Sequence, residues 1–132
     1  PVGITAAITP ASLTIGGLTA NGKVYDATTA ATLGGSPTLG GVLLSDVVGF
    51  VSATAAFIDK NVGPTKGVNV SGITLTGADA GNYTVTPPVG LTAAITPASL
   101  TLTGLSASSK VYDATAATTL TGIGSLGGVL LT

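Results

Sequence analysis

The sequence predicts an all-β fold made of short strands and repeated in tandem. First, the composition favours strands, because Val, Ile and Thr are abundant while Glu, Gln, Arg and Met are absent from the 132 residues. Second, apolar and polar residues alternate in short runs that Gly, Pro, Asn or Asp interrupt. Third, the chain repeats itself with a long period. An apolar content of 45% argues against disorder.

The repeat appears when the chain is compared with itself. Residues 1–14 (PVGITAAITPASLT) return as residues 88–101 (PVGLTAAITPASLT), an offset of 88 − 1 = 87 that holds to the last residue. Of the 45 aligned pairs 13 differ, which leaves 45 − 13 = 32 identical. We expect residues 1–10 to be the last strand of a preceding repeat, 11–97 one complete repeat, and 98–132 the first part of the next. A unit of 87 residues exceeds the roughly 20–50 of a solenoid coil, so each repeat should own a core.

The first half of the complete repeat is predicted to begin with a β-hairpin. Alternation predicts a strand over 13–20, the Asn-Gly pair at 21–22 predicts a tight turn with positive φ angles, and 23–26 begin the returning strand. A short strand is expected within 28–33, followed by a proline-containing loop at 34–41.

The second half is predicted to supply strands at 42–44 and 47–57, a charged loop at 59–67, a strand around Ile73 and a final strand at 91–95. Roughly seven to nine short strands at this spacing are typical of an antiparallel β-sandwich. The large apolar side chains of these strands form the predicted core, which comprises Leu13, Val24, Phe50, Phe57, Val70, Leu75, Tyr83 and Ile95.

The most informative stretch is residues 73–85 (ITLTGADAGNYTV), where an alternating strand leads into a corner and then into a second strand. Asp79, Gly81 and Tyr83 lie at the spacing Asp-x-Gly-x-Tyr. This arrangement resembles the tyrosine corner of immunoglobulin-like sandwiches, in which a tyrosine hydroxyl bonds back to the backbone of the preceding corner. The alternative is a plain loop followed by an edge tyrosine. On the first interpretation the repeats are tandem Ig-like antiparallel sandwiches, and Tyr83 is a structural residue.

Three motifs carry a resemblance to a known family. They are KVYDATTAATL at 23–33, AFIDKNVGPTKGVNVSGITLTGADAGNYTV at 56–85, and TAAITPASLT at 92–101. Together they resemble the YDG-type tandem repeats of bacterial surface adhesins of the filamentous-haemagglutinin kind. The chain departs from the usual Tyr-Asp-Gly, because Ala27 follows Tyr25-Asp26 and Ala114 follows Tyr112-Asp113. A left-handed backbone is therefore not expected at the third position, since a Cβ disfavours it.

The resemblance implies a structural stalk or filament segment of a secreted or surface-displayed bacterial protein, located outside the cell. Its partners would be the neighbouring repeats of the same chain and other copies in a filament. The alternative function is an adhesive binding module that recognises a glycan or host receptor through its loops. A low aromatic content of 4% disfavours that alternative, because binding hot spots depend on Trp, Tyr and Arg.

Catalysis is hard to build from these residue types. The chain contains no His, Cys, Glu or Arg, so Ser/His/Asp and Cys/His arrangements and thiolate or histidine metal sites cannot be assembled. The sequence therefore predicts that the protein is not an enzyme. Tyr25 is expected to pack inward, while Asp26 caps a turn or meets Lys23.

Calcium is the metal hypothesis that the sequence permits, although no cofactor is required. Hard oxygen donors occur in the predicted loops, and the candidates are Asp46, Asp59, Asn61, Asp79 and Asn82. The alternative is that these side chains bond nearby backbone amides, as Asp and Asn commonly do in turns.

Two covalent modifications also remain open. Lys23, Lys60 and Lys66 are amines that a spontaneous Lys-Asn or Lys-Asp crosslink would use. Asn69 and Asn82 fit the N-glycosylation sequence pattern.

Charge and hydropathy exclude two further classes of partner. The net charge is −1 and the four lysines form no basic cluster, which argues against nucleic-acid binding. No apolar run approaches the roughly 18 residues needed to cross a bilayer as a helix. The absence of Cys leaves the redox compartment undetermined.

Overall fold

The computed structural model describes residues 2–51 and 53–130. With 48% of residues in strands and 2% helical, it confirms the all-β class, and its several sheets include one that is nearly closed and barrel-like. The elements within the described residues are β1 (Ala11–Ala20), β2 (Lys23–Val24), β3 (Ala30–Ala31), β4 (Leu33–Gly40), β5 (Gly49–Val51), β6 (Thr54–Phe57), β7 (Gly63–Ser71), β8 (Thr74–Thr76), a 3₁₀ turn (Ala80–Asn82), β9 (Tyr83–Thr86), β10 (Leu91–Thr96), β11 (Thr101–Thr103), β12 (Ser106–Ala107), β13 (Leu120–Thr121) and β14 (Ser125–Gly127).

The chain forms two compact units, Pro1–Thr96 and Pro97–Thr132. The first contains β1 to β10, and the second contains β11 to β14. In the part of the chain that the structure describes, no helix is long and apolar enough to cross a membrane.

Strand β1 lies at the centre of a three-stranded sheet with the order β4-β1-β9. It pairs antiparallel with β4 and parallel with β9, where Ala11 lies opposite Tyr83 and Thr14 opposite Thr86. Period-two alternation directs Leu13 and Ile15 into the core, where both are buried. The predicted strand over 13–20 is therefore confirmed.

The predicted hairpin at the end of β1 is wrong. Neither Asn21 nor Gly22 has the positive φ that a type I′ turn requires, and β2 pairs in parallel with β10 instead of returning along β1. The Asn21 N–H donates to the Thr32 carbonyl oxygen at 3.0 Å. At Gly22 a Cβ would come within 3.0 Å of the Ala94 carbonyl oxygen. Gly22 thus permits a close approach to β10 rather than a turn.

The true partner of β1 is β4, in the region predicted as the loop 34–41. The register changes by one residue between Gly16 and Leu18, so β4 carries a bulge opposite Gly17. Pro37 lies at this bulge on the edge strand, where its missing N–H costs no ladder hydrogen bond. A proline and several glycines look like a loop in the sequence, but an edge strand with a bulge accepts them.

The second sheet of the first unit has five strands in the order β2-β10-β7-β6-β3. Its pairs are antiparallel except for β2 with β10, so this sheet, like the first, mixes both orientations. The predicted purely antiparallel arrangement is wrong for these two parallel pairs. Phe57, Val68 and Ile95 pack together as the buried cluster of this sheet. Beside the two sheets, β5 pairs with β8 as a separate antiparallel ribbon.

Most of the predicted core is buried. The confirmed residues are Leu13, Phe57, Val70, Tyr83 and Ile95. Phe50 and Leu75 face each other in the β5–β8 ribbon and are half-buried. Val24 is 58% exposed, because β2 is an edge strand of only two residues. Ile15 and Val68 are buried core residues that the prediction missed.

Two further boundaries differ from prediction. Residues 42–44 are not a strand, since they enter a turn, and the predicted strand 47–57 divides into β5 and β6, with residue 52 outside the described ranges. The predicted loop 59–67 is shorter than expected, because β7 already begins at Gly63. The strand, corner and strand predicted over 73–85 are confirmed as β8, the 3₁₀ turn and β9.

The second unit repeats the local pairing of β1 with β4. Thr101 lies opposite Gly127 as Thr14 lies opposite Gly40, and Ser106 lies opposite Thr121 at the same offset of 87. The environment differs, however: Leu100 is 51% exposed, whereas its counterpart Leu13 is fully buried.

Candidate functional site

Tyr83 fixes a loop that lies far away in the sequence. Its hydroxyl donates to Asp46 Oδ2 at 2.6 Å and accepts the Leu43 N–H at 3.0 Å. The ring is buried at the start of β9, with 6% of the residue exposed. Because the phenol bridges a carboxylate and an amide of one turn, it ties the turn to the sheet.

Asp79 fixes the other end of the same turn. Its Oδ2 accepts the Val47 N–H at 2.7 Å, and its own N–H donates to the Val47 carbonyl oxygen at 3.2 Å. Gly77 makes this approach possible, because it has φ +106 and a Cβ there would collide with the Val47 carbonyl. We call Asp46, Asp79 and Tyr83 the corner clamp.

The corner clamp differs from the predicted tyrosine corner in one respect. The hydroxyl does not bond back to the corner at 77–82; it reaches Leu43 and Asp46, which lie 40 and 37 residues upstream. Gly81 has open space around its Cβ position and no positive φ, so neither steric contact nor backbone strain requires glycine there. The sequence predicted a break between two strands at residues 45–46, but not that Asp79 and Tyr83 hold this turn, because the contacts join residues 32 to 40 positions apart.

The clamp changes the acidity of its phenol. The hydrogen bond to Asp46 raises the pKa of Tyr83 above its ordinary value of 10.0, with the nearby Asp79 charge acting in the same direction. A raised pKa means that the folded state favours the protonated phenol. This contribution to stability is present below about pH 10 and is lost as the pH rises through the higher folded-state value.

A second polar cluster, the lysine hub, lies around Lys23. Its Nζ donates to Asp26 Oδ1 at 2.7 Å, to the Thr28 carbonyl oxygen at 2.8 Å and to Thr28 Oγ1 at 3.1 Å. It also lies 5.5 Å from the centroid of the Phe57 ring. Tyr25, two residues along the chain, packs its ring against the cluster that contains Phe57. The three ammonium donors are thus all engaged beside the core.

The second unit builds the same hub. Lys110 Nζ donates to Asp113 Oδ1 at 2.9 Å, to the Thr115 carbonyl oxygen at 3.0 Å and to Thr115 Oγ1 at 2.9 Å. Tyr112 is 88% exposed, in contrast to Tyr25. The role of Thr28 and Thr115 in the hub was not predicted. The pattern Lys-x-x-Asp-x-Thr, which both copies share, is the sequence signal that identifies it.

Both clusters lie in a region that matches a known domain family. The YDG domain family matches residues 9–90, which contain both the lysine hub of the first unit and the corner clamp. The chain belongs to the YDG domain family. No curated protein and no solved structure matches it significantly.

The third residue of the YDG motif has the backbone that glycine favours. Ala27 has φ +65 and Ala114 has φ +64, so the expectation that alanine would prevent a left-handed conformation is wrong. The hub explains why, because Asp26 Oδ1 accepts both the N–H and the hydroxyl of Thr28 and so fixes the turn around Ala27. The hydrogen bonds outweigh the strain on alanine.

We expect Ala27→Gly to stabilise the first unit of this YDG domain. Relief of the left-handed strain is worth about 1–2 kcal/mol, and the greater freedom of glycine in the unfolded chain offsets about 0.4–1 kcal/mol of it. A net gain of up to about 1.6 kcal/mol should therefore appear in urea unfolding. Ala20→Gly in β1 is the control and should be destabilising, because Ala20 has an extended conformation. A loss of stability in both variants would contradict the strain argument.

Hydrogen bonding lowers the pKa of three aspartates. Lys23 and Thr28 lower the pKa of Asp26 from 3.8 to about 2. The Lys66 ammonium, 2.6 Å from Asp59 Oδ1, lowers the pKa of Asp59. The Asp113 carboxyl is likewise lowered, chiefly by the Thr115 hydroxyl. A depressed folded-state pKa means that the stability linked to the carboxylate is present above about pH 3.8 and is lost as the pH falls.

Acid should therefore weaken the domain through Asp26. We expect the melting temperature to fall between about pH 4 and about pH 2, because the unfolded chain binds its proton first. Asp26→Asn should be less stable at neutral pH and should show a shallower fall over the same interval. Melting curves measured across that interval give the comparison. Equal slopes for the parent and Asp26→Asn would contradict this role of the hub.

The structure divides the calcium candidates into two groups. Asp46 and Asp79 lie in the corner clamp, and Asn82 ends the 3₁₀ turn beside it. Asp59 instead pairs with Lys66 and accepts the Asn61 N–H at 2.8 Å. Over residues 2–51 and 53–130, no three acidic, histidine or cysteine side chains converge as a metal site would require. The carboxylates bond backbone amides, a tyrosine or a lysine.

The remaining predicted residues have these positions. Lys66 is held by Asp59 on β7, and Lys23 is held in the hub. Asn69 is exposed on β7, and Asn82 is exposed before β9. Lys60 lies in the loop between β6 and β7.

Proposed function

We propose that this YDG domain is a structural segment of a stalk or filament, built from tandem Ig-like repeats in a secreted or surface-displayed bacterial protein. The proposal concerns mechanics rather than chemistry. Each repeat provides a folded unit, and a short Thr-Pro-Ala junction limits bending between neighbours.

One observation carries the proposal: the same sequence occurs in two environments. TAAITPASLT covers residues 92–101 and also 5–14. In the copy at 92–101, Ile95 belongs to β10 and is 1% exposed, packed against Phe57 and Val68. In the copy at 5–14, its counterpart Ile8 belongs to no strand and is 100% exposed. Burial of Ile8 therefore needs a sheet like that of β7, which a preceding repeat would provide.

The second unit supports the same interpretation. It reproduces the β1–β4 register and the lysine hub at the offset of 87, while Leu100 and Tyr112 remain exposed where Leu13 and Tyr25 are covered. In the first unit the cover comes from strands later in the repeat, including β9 and β10. Each 87-residue segment thus contains the set of strands that one hydrophobic core needs.

The side chains at the two polar clusters also favour a structural role. The carboxylates of the clamp and the hub are engaged with amides, hydroxyls and lysines that stabilise turns. The charged residues of the chain are Asp and Lys alone, and His, Cys, Glu and Arg are absent. Few side chains are therefore suited to acid–base or nucleophilic chemistry.

Scattering from proteins of increasing repeat number tests the proposal. Copies of residues 11–97 joined in series should lengthen the particle by a constant increment of about 30 Å or more per repeat, as rigid beads would. Antibody against the repeat should also bind intact cells of the source organism. A maximum dimension that stops growing, or repeats confined to the cytoplasm, would contradict the stalk. Saturable binding of a glycan by two or three joined repeats would favour the adhesive module instead.

A further inference from the structure

The first and last strands of the first unit are aligned in the same direction. Strand β1 pairs in parallel with β9, and β2 pairs in parallel with β10. In the first ladder Ala11 lies opposite Tyr83, which is an offset of 83 − 11 = 72. In the second ladder Lys23 lies opposite Ile95, and the offset of 95 − 23 = 72 is the same. The two ladders therefore share one register.

A contact between the two ladders has the same offset. A Cβ on Gly22 would come within 3.0 Å of the Ala94 carbonyl oxygen, and 94 − 22 = 72. Residues 11–24 and residues 83–96 thus follow one parallel alignment, although each segment passes from the three-stranded sheet into the five-stranded sheet. We call these two segments the terminal pair.

The chain enters and leaves the terminal pair at opposite ends. Ala11 is the first residue of β1, and it lies where Tyr83 begins β9. Thr96 is the last residue of β10, and it lies opposite Val24 at the other end. Tension on the chain would therefore pull the first segment toward one end and the second segment toward the other.

This geometry loads the parallel ladders in shear. When two paired strands are pulled in opposite directions along their axes, the evenly spaced hydrogen bonds of the ladder carry the load together. The antiparallel β1–β4 pair differs, because Thr14 lies opposite Gly40, so the start of β1 and the end of β4 are at the same end. Pulling those two ends apart would break the bonds one after another. The terminal pair should therefore resist the larger force.

The two polar clusters fasten both ends of the terminal pair. At the entry end, Tyr83 is held in the corner clamp. At the exit end, the Tyr25 N–H donates to the Thr96 carbonyl oxygen at 2.8 Å. Thr96 Oγ1 donates to the Lys23 carbonyl oxygen at 3.3 Å, and the Lys23 ammonium is the centre of the lysine hub. The clusters thus lie where tension would enter and leave the unit.

We propose that the terminal pair bears the load when this YDG domain is pulled from its two ends, and that it keeps the unit folded under tension. The need to bear tension rests on the proposed stalk. The mechanical strength belongs to the first unit alone and does not depend on how neighbouring repeats are arranged. Forced unfolding is governed by the unfolding rate, so a high rupture force requires no unusual equilibrium stability.

Single-molecule pulling of the 132-residue chain in two directions tests this inference. The chain has no Cys, so handles can be attached at introduced cysteines. Gly3→Cys with Ser99→Cys loads the terminal pair, whereas Gly3→Cys with Ser45→Cys opens the β1–β4 pair; all three positions are exposed. At one loading rate we expect the first direction to need at least about twofold more force, because several ladder bonds share the load. An equal or lower force in the first direction would overturn the proposal.

Two matched variants separate mechanical strength from equilibrium stability. Val85 lies opposite Leu13 in the terminal pair and is half-buried. Leu39 lies opposite Ile15 in the β1–β4 pair and is also half-buried. Val85→Ala should lower the rupture force in the first direction, whereas Leu39→Ala should lower the melting temperature and leave that force unchanged. The opposite pattern would contradict the proposal.

The outcomes also distinguish this inference from the proposed function. A low rupture force in the first direction, together with a constant length increment in scattering, would contradict the load-bearing role and leave the stalk standing. A high rupture force without that increment would support the load-bearing role and contradict the stalk.

Discussion

Gly17→Ala is expected to destabilise the first unit by about 2–5 kcal/mol, the sum of about 1–2 kcal/mol for a left-handed alanine and about 1–3 kcal/mol for overpacking. Gly17 has φ +79 at the β1–β4 bulge, and a Cβ there would collide with the backbone carbonyl of Ser36. Because the obstacle is backbone, no side-chain rotation relieves it. Since a domain of this size has a total stability of about 5–15 kcal/mol, the melting temperature should fall by roughly 10 °C or more.

The neighbouring residue is the matched control for this prediction. Gly16 has no positive φ, and its Cβ position lies 3.9 Å from Thr38 Oγ1, so Gly16→Ala should be neutral or slightly stabilising. The second repeat has the same contrast, with Thr103 at the position of Gly16 and Gly104, φ +86, at the position of Gly17. Equal melting temperatures for the two variants would contradict the account of the bulge.

Tyr83→Phe is expected to cost about 1–3 kcal/mol, because it leaves the Asp46 carboxylate and the Leu43 N–H without their shared partner. The ring remains in the core, so the loss reports the hydroxyl. Urea unfolding measures the free energy. Hydrogen exchange should show, in addition, faster exchange of the Leu43 N–H, since the turn is released from β9.

The comparison for Tyr83→Phe is Tyr25→Phe. The Tyr25 ring packs beside the Phe57 cluster, but among residues 2–51 and 53–130 its hydroxyl makes no side-chain hydrogen bond. Removing that hydroxyl should change stability by less than about 0.5 kcal/mol. If both variants lose the same stability, or neither does, the corner clamp is not the feature that makes Tyr83 important.

The local sequence pattern predicted which residues are buried, but not which strands pair. Leu13 alternates with Ser12 and Thr14 and is buried as expected, and Phe57 and Ile95 are buried as expected too. The predicted hairpin failed because Asn-Gly is a local signal, whereas the pairing of β1 with β4 and of β2 with β10 is long-range. The loop predicted around Pro37 was wrong for a related reason. A strand tolerates proline at the edge of a sheet, and the local sequence does not show that β4 is an edge strand.

The functional clusters were predictable in part. The Asp-x-Gly-x-Tyr spacing identified Asp79 and Tyr83, but not the turn they hold, because that turn lies 32 to 40 residues upstream. Ala27 adopts φ > 0 through hydrogen bonds of Asp26 to Thr28, which a propensity argument on alanine alone omits. Comparing the two copies could have found Thr28, because Thr115 repeats it.

Hydrogen exchange at Ile8 tests the tandem array most directly. The measurement compares the 132-residue chain with a two-repeat protein, in which a copy of residues 11–87 precedes the chain so that residues 1–10 complete the added repeat. In the shorter chain Ile8 lies in no strand and is fully exposed, so its amide should exchange rapidly. In the two-repeat protein we expect the Ile8 amide to become as protected as that of Ile95, its buried counterpart in β10. An Ile8 amide that exchanges equally fast in both proteins would contradict the account.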